Sequence, residues 1–204
     1  MSRDVDRLLP EAARRHLEVL AGPPETYVES RPDAPWSDGA DAMTVTIVKG
    51  ATAHAVADVV GLNLDTLTET LPVEAAWPDA ASPMQILTVP GAIAIAEPNG
   101  WFTARPEVVA QLSCLGLTVS LYWSVDHDSS FIVGDGGVVV RSFDPVIDRG
   151  QGGVGTPLPE EAGIDWSEPI GAAATVQARV TGIDLTRGQV FGMQHPTALM
   201  PWPR

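Results

Sequence analysis

The most regular hydrophobic pattern in the chain lies between residues 117 and 125, where every second residue is large and apolar. The apolar positions are Leu117, Val119, Leu121, Trp123 and Val125. The polar positions between them are Thr118, Ser120, Tyr122 and Ser124. A period of two is that of a β-strand. The pattern predicts a strand with one face in the core and the other wet or only partly covered, as is typical of antiparallel sheets.

Further strands are predicted on both sides of this one. Residues 131–133 and 138–143 flank the glycine-rich turn 134–137, which is a hairpin signal. Together with 117–125 they form a meander of three consecutive strands. The remaining predicted strands cover 43–48, 85–89 and 92–97.

Apolar residues at helical spacing, between a capping hydroxyl and a terminal glycine, predict helices. These helices cover 52–61, 103–116 and 167–182. Another helix is predicted over 1–21, on the shared face of Leu9, Ala13, Leu17 and Leu20. The stretch 62–82 fits either a helix or a strand, and its prolines keep every element there short.

Strands in runs beside separate helices predict an α+β fold. We expect an antiparallel sheet of about five strands with helices packed on one face. The chain divides into an N-terminal helix at 1–21, a Pro- and acid-rich linker at 22–42 and a single α+β domain at 43–204. Within the linker, Tyr27 and Trp36 are candidate anchors to the domain.

The chain is strongly acidic. Its 204 residues include 12 Lys and Arg against 26 Asp and Glu, for a formal charge of −14, and Lys49 is the only lysine. Nucleic-acid binding needs clustered basic side chains, and an anionic membrane surface repels an acidic protein, so neither is an expected partner. The charge favours a basic protein partner, or it serves solubility alone.

A single cysteine, Cys114, excludes an intramolecular disulfide. It lies between Leu112 and Leu115 near the negative end of a predicted helix, which disfavours a thiolate. A buried structural cysteine is therefore favoured over a nucleophile. The beginning of the chain shows no apolar run typical of a signal peptide, and no stretch approaches the ~18 apolar residues of a membrane span, so we expect a cytoplasmic protein.

The run from Gly150 to Gly155 matches the G-x-G-x-x-G pattern of nucleotide-binding loops. Such a loop binds phosphate only where a strand leads into it and a helix begins within it. Pro157 and Pro159 follow here and no helix is predicted, so a flexible glycine-rich loop is favoured. The sequence also contains no G-x-S-x-G nucleophile elbow and no P-loop, and we predict neither a catalytic residue nor a cofactor.

The run Asp126-His127-Asp128 admits two interpretations. The two carboxylates can bind a hard cation with help from Asp135 or Asp144. If the strand continues, His127 points to the opposite face and cannot join them. A solvated strand end and turn is the favoured interpretation, and no metal ligand is predicted.

Carboxylates, arginines and tryptophans gather near the predicted strand ends. They build either a binding cleft or an internal corner in which Glu97 or Asp144 pairs with Arg105 or Arg141. The candidate binding residues are Glu97, Asn99, Trp101, Arg105, Trp123, Asp126, Arg141 and Asp144.

Several of these residues lie in short motifs spread over about 43–185. The motifs are AIAEPNGW at 94–101, ARPEV at 104–108, LS at 112–113, VSLYWSV at 119–125, VRSFDP at 140–145 and LPEEAG at 158–163. In combination they resemble the actinobacterial domain-of-unknown-function family 6461. The resemblance implies one coherent domain of bacterial source and carries over no catalytic residue.

Two classes of function remain. We favour a non-enzymatic interaction or regulatory protein of the immunity or conflict-system kind, because the chain is acidic, shows no catalytic constellation and has a half-polar sheet that can meet a partner. The alternative is a small-molecule binding protein or enzyme with a cleft around Glu97, Trp101, Arg105, Arg141 and Asp144. Convergence of these side chains on a concave pocket would favour the alternative, and their consumption in internal ion pairs would count against it.

Overall fold

A computed structural model describes residues 32–37, 42–71 and 81–201 of the chain. These residues form an α+β fold around one eight-stranded sheet in which all pairings are antiparallel. The strands are β1 (Met43–Lys49), β2 (Thr68–Thr70), β3 (Ala81–Val89), β4 (Ala92–Pro98), β5 (Thr118–Trp123), β6 (Ser129–Asp135), β7 (Val138–Phe143) and β8 (His195–Pro201). Their order across the sheet is β2-β8-β3-β4-β1-β5-β6-β7.

The helices in the described part of the chain are α1 (Ala53–Val60), α2 (Pro106–Ser113), α3 (Pro145–Asp148), α4 (Pro169–Thr181) and α5 (Arg187–Phe191). The predicted limits of α1 are confirmed, since Thr52 caps it and Gly61 ends it in the left-handed conformation. The predicted N-caps of the other two predicted helices are wrong, whereas Gly182 ends α4 as predicted. Helix α2 begins at Pro106 because Thr103 belongs to a separate 3-10 turn, Phe102–Ala104, and the residue that precedes α4 is Glu168 rather than Ser167.

Helices cover both faces of the sheet, so the prediction of one covered face is wrong. On one face, which we call the α4 face, Val45 and Ile47 of β1 pack in a core with Val176 of α4. On the other, the α1/α2 face, the strand residues join a core formed with both of those helices. Its buried members are Val48, Met84, Ile86, Ile93, Ile95, Val56, Val60, Val108 and Leu112.

The hydroxyl face of β5 is buried rather than wet. Thr118 and Ser120 are fully enclosed beneath α2 and the 3-10 turn. The Thr46 hydroxyl lies 2.8 Å from the hydroxyls of both Ser120 and Thr103. Because hydroxyls that pair with one another can be buried at little cost, apolar–hydroxyl alternation does not by itself indicate a solvated face.

The sheet has eight strands rather than the predicted five or so, chiefly because β8 was not expected and β2 lies in the stretch 62–82 that fitted either a helix or a strand. Strand β8 lies between β2 and β3, pairing Thr197 with Thr68 on one side and with Gln85 on the other. In the sequence, Pro196 and Pro201 argue against a strand at β8. Both lie near the ends of β8, where the missing N–H of a proline costs few of the hydrogen bonds between strands. The predicted strands at 43–48, 85–89 and 92–97 and the β5–β6–β7 meander are confirmed, and the structure pairs β3 and β4 as a hairpin.

Part of the predicted linker is anchored to the domain. Trp36 is 3% exposed, and its ring centroid lies 5.1 Å from that of Trp123. The backbone of this strap, residues 32–37, bonds to Leu185, Arg187 and Gly188. The predicted N-terminal helix at 1–21, Tyr27 and the other linker residues lie outside the described residues. None of the described helices has the length and apolar character that a membrane crossing requires.

Candidate functional site

The predicted binding residues do not meet in one cleft. Strands β4 and β7, which carry Glu97 and Arg141, are separated by β1, β5 and β6, so their axes lie roughly 19 Å apart. Glu97 shares the α1/α2 face with Ile95, whereas Arg141 shares the α4 face with Phe143. The sheet itself therefore stands between the two charges.

Arg141 is fully buried and is engaged by Glu161, so the predicted pairing with Glu97 or Asp144 is wrong. Its Nε and Nη2 donate to the two carboxylate oxygens of Glu161 at 2.8 and 2.9 Å. The other guanidinium hydrogens reach the carbonyls of Gly152 at 2.7 Å and Gly150 at 3.2 Å. Its carbon lies 4.5 Å from the centre of the Phe143 ring. This geometry makes Arg141 a structural centre.

The glycine-rich loop 150–155 wraps around this guanidinium and covers the outer edge of β7. Val154 and Ser142 exchange backbone hydrogen bonds of 2.6 and 2.9 Å. The loop directs carbonyl oxygens inward, toward a cation, whereas a phosphate site requires converging N–H groups. The G-x-G-x-x-G match thus corresponds to an arginine clamp.

Two glycines test how closely this loop approaches β7. Both Gly61 and Gly155 have a positive φ, but a Cβ at Gly61 meets open space whereas one at Gly155 would overlap the carbonyl of Val140. We expect Gly61→Ala to lower the free energy of unfolding by about 1–2 kcal/mol from backbone strain alone. Gly155→Ala should cost a further ~1–3 kcal/mol, because the loop must move away from the strand. Urea unfolding of the pair measures the difference, and equal midpoints would refute the close approach.

Glu97 is a buried carboxylate that holds the turn after β4. It is 1% exposed, and its oxygens accept hydrogen bonds from the amides of Phe102 and Thr103, both at 2.8 Å, and from the Thr103 hydroxyl. None of the ion pairs within the described ranges includes it. Burial raises the pKa of Glu97, and these hydrogen bonds only partly oppose that effect. Its predicted partner Arg105 instead pairs with Glu107 at the surface.

A chain of hydrogen-bonded hydroxyls connects the turn after β4 to the neighbouring strands of the sheet. Ser120, Thr46 and Thr103 lead in hydrogen-bonding steps to the Glu97 carboxylate. Next to it, the Thr44 hydroxyl donates to the Gly100 carbonyl at 2.6 Å. The turn is therefore bound to two strands at once, which fixes the direction of the residue that follows.

That residue is Trp101, which is 44% exposed at the end of the sheet. Tyr122 lies at the same end of the sheet, since it pairs across the strands with Thr44, whose hydroxyl donates to the Gly100 carbonyl of this turn. Beyond β5, Val125 is 65% exposed and is followed by the exposed carboxylates of Asp126 and Asp128. We call these five residues the sheet-end surface.

The β5–β6 turn presents the two carboxylates in a defined way. Strand β5 ends at Trp123, so the predicted continuation to 125 is wrong. The Ser124 hydroxyl accepts hydrogen bonds from the amides of Asp126 and Asp128, each at 3.2 Å, and His127 has a φ of 67°. Neither carboxylate belongs to an ion pair in the described part of the chain.

The cation hypothesis for this turn finds no support in the geometry. Asp135 lies at the opposite end of β6, roughly 20 Å away. Asp144 accepts hydrogen bonds from the Ser129 hydroxyl and from the first amides of α3, which it caps. Over residues 32–37, 42–71 and 81–201, no group of three or more His, Cys, Asp or Glu side chains is placed to hold a metal ion.

The remaining candidate residues lie in the core, in a turn or in a surface contact, and none of them lines a shared binding cleft. Trp123 is a core residue against Trp36, and Asn99 occupies the turn with a φ of 54°. Arg105 lies with its guanidinium carbon 5.4 Å from the centre of the Phe102 ring. Cys114 is exposed, so its predicted burial is wrong. It stands one position beyond the last buried turn of α2, at the C-cap.

Sequence reasoning missed two residues that matter. Tyr122 was assigned only to the polar face of its strand, although a tyrosine among small hydroxyl residues is itself a signal for a partly exposed contact position. Glu161 lies in an irregular segment with no hydrophobic period, so no pattern connected it with Arg141.

Comparison of the chain with protein-family models, with curated proteins and with solved structures gave no match. The assignment of function therefore depends on the geometry of the sheet-end surface. The resemblance to family 6461 stays an expectation.

Proposed function

We propose that this protein is a non-enzymatic interaction or regulatory protein, of the immunity or conflict-system kind, that binds a basic protein partner through the sheet-end surface. The observation that carries the proposal is the exposed Trp101 on a rigidly held turn, at the same end of the sheet as the carboxylates of Asp126 and Asp128, which belong to no ion pair within the described residues.

The aromatic part of this surface has the character of an interface centre. Tryptophan and tyrosine are enriched among the few residues that supply most of the binding energy in protein complexes. Trp101 is presented by a turn that Glu97 and Thr44 hold in place, so little ordering is needed when a partner binds. A preorganised contact loses less entropy on association.

The charge of the surface selects the partner. Asp126 and Asp128 are exposed on a chain with a formal charge of −14. Complementary charge speeds association and discriminates against partners of the same sign. A basic protein is therefore the proposed partner, while nucleic acid and anionic membranes are not.

The predicted cleft residues support a non-enzymatic function. Arg141, Glu97 and Asp144 are engaged in contacts that build the fold, and they are divided between the two faces of the sheet. The exposed thiol of Cys114 suits a reducing compartment, so we infer a cytoplasmic location. We also infer that the chain is a member of the actinobacterial family 6461 on the motifs given above.

The proposal is tested with the products of the neighbouring genes in the source genome. We expect one of them to be basic and to form a complex with this chain in size-exclusion chromatography. Trp101→Ala should weaken that complex at least about tenfold in calorimetry. Asp126→Asn with Asp128→Asn should slow association and reduce its salt dependence.

Val138→Ala is the control for Trp101→Ala, because Val138 is also an exposed apolar residue but lies at the other end of the sheet. It should leave the affinity unchanged. The absence of a complex, or a complex that Trp101→Ala leaves intact, would count against the proposal.

A further inference from the structure

Helix α4 has an outer side that is unusual for a helix at a surface. Of the outward positions Gly171, Thr175, Ala178 and Arg179, only Arg179 carries a charge, and it is the one ionisable side chain in the 13 residues of the helix. Its guanidinium donates to the carbonyls of Glu160 and Ala162. Helices that face water normally carry charged residues on that side, whereas helices that are apolar or small all round are covered by other structure. The composition of α4 therefore indicates that another element packs on its outer side.

A groove runs between this side of α4 and the strap 32–37. Its volume is about 520 Å³, within the range of sites that enclose ligands or side chains. The apolar lining comes from Trp36, Ala174, Ala178 and Leu185, and the charged residues Arg179 and Asp184 also line the groove. Ser37 also lines it, and the enclosed hydroxyl oxygen of Ser37 has no hydrogen-bond partner in the described part of the chain. The groove thus combines an apolar floor with two charged residues and one polar group that lacks a partner in the described part of the chain.

The chain enters the domain beside this groove. The Pro32 carbonyl accepts a hydrogen bond from the Gly188 amide at 2.9 Å, and the strap then forms one wall. Residues 1–31 precede this point and include the predicted amphipathic helix at 1–21. The residues between 21 and 32 can span roughly 35 Å, whereas α4 is only about 20 Å long. The predicted helix can therefore reach every part of the groove.

We infer that this groove binds the leucine-bearing face of the chain's own N-terminal segment, packed as a helix along α4. The apolar positions that would enter it are Leu9, Ala13, Leu17 and Leu20. Small side chains on α4 would let the two helix axes approach closely. The tether supplies a high effective concentration, so a modest contact area is enough.

Charge is compatible with this arrangement. Arg3, Arg7, Arg14 and Arg15 balance the acidic side chains of the segment, which are Asp4, Asp6, Glu11 and Glu18. The segment is therefore neutral, and the formal charge of −14 resides in the remainder of the chain. A neutral segment is not repelled by that remainder, whereas a second copy of the whole chain would be.

Cysteine cross-linking in the full chain tests the inference. In a Cys114→Ser background, Thr175→Cys is combined in turn with Ala13→Cys, Leu17→Cys and Leu20→Cys. Mild oxidation should give an intrachain disulfide in at least one pair, seen as a mass loss of two hydrogens in the monomer. The control replaces Thr175→Cys by Gln111→Cys, on the exposed side of α2, and should give no intrachain disulfide.

Hydrogen exchange gives a second and independent readout. Thr175→Trp fills the groove and should make the amides of residues 11–21 exchange about tenfold faster than in the unchanged chain. Gln111→Trp, an equally bulky change elsewhere, should leave their exchange unaltered. If the exchange rate of the amides of residues 11–21 is the same in Thr175→Trp as in the unchanged chain, the inference is wrong.

Two further outcomes would also overturn it. Disulfides that form only between chains would identify the groove as an interface between copies. A small molecule retained by the purified chain in native mass spectrometry, and lost in Thr175→Trp, would identify a ligand site instead.

Discussion

Replacing Arg141 with leucine is expected to lower the free energy of unfolding by about 3–5 kcal/mol. The reason is the charge that would be left behind. Glu161 is buried, and both of its oxygens face the Arg141 guanidinium. Without that cation the carboxylate must remain ionised in a medium of low polarity or take up a proton. The carbonyls of Gly150 and Gly152 would lose their donors as well.

Urea unfolding at neutral pH measures this cost. The double variant Arg141→Leu with Glu161→Leu should recover much of the lost stability, because it removes the unpaired charge together with its partner. The free energy of unfolding of Arg141→Lys should lie between that of the unchanged chain and that of Arg141→Leu. An ammonium keeps the charge but cannot make the two parallel hydrogen bonds.

Arg105→Leu serves as the surface comparison. Arg105 also pairs with a glutamate, Glu107, but this ion pair is exposed to solvent. We expect no resolvable change in its urea midpoint. A mild effect of Arg141→Leu, or a double variant that is less stable than either single one, would show that the buried pair is not the centre described above.

The sequence allowed the periodic elements to be predicted and left their assembly open. Alternation between 117 and 125 and the glycines at 134–137 were enough to predict the meander, because hairpin neighbours pair locally. The position of β1 between β4 and β5 was not predictable in this way. It depends on pairings between residues about forty to eighty positions apart, for which a single sequence contains no periodic signal.

The candidate site was predictable in part for the same reason. Which face a residue takes within its own strand follows from the period of two, but the relative faces of Glu97 and Arg141 depend on the register between strands. Their residue types and their positions near predicted strand ends made both look like members of one site. Trp101 was a candidate from sequence and lies exposed at the sheet end, whereas the position of Tyr122 at the same end could be recognised only once β1 and β5 were paired.

The pH dependence of stability should reveal the buried carboxyl of Glu97. Burial raises its pKa above the ordinary value of 4.5. Between the ordinary pKa and the raised one, the folded chain holds a proton that the unfolded chain has released. The free energy of unfolding must therefore fall as pH rises through this window, by up to about 1.4 kcal/mol per pH unit from this group. The stabilisation is complete below pH 4.5 and is lost once pH exceeds the raised pKa.

Glu97→Gln isolates this contribution from that of the other carboxyls. The amide loses one acceptor toward the Phe102 and Thr103 amides, so the variant starts with a constant penalty that does not depend on pH. Against this constant, the difference in unfolding free energy between the unchanged chain and the variant should shrink steadily from pH 4.5 upward. Parallel stability curves over that range would mean that hydrogen bonds from Thr103 and Phe102 fully compensate burial. Glu97 would then be an ordinary ionised cap, and the turn that presents Trp101 would be insensitive to pH.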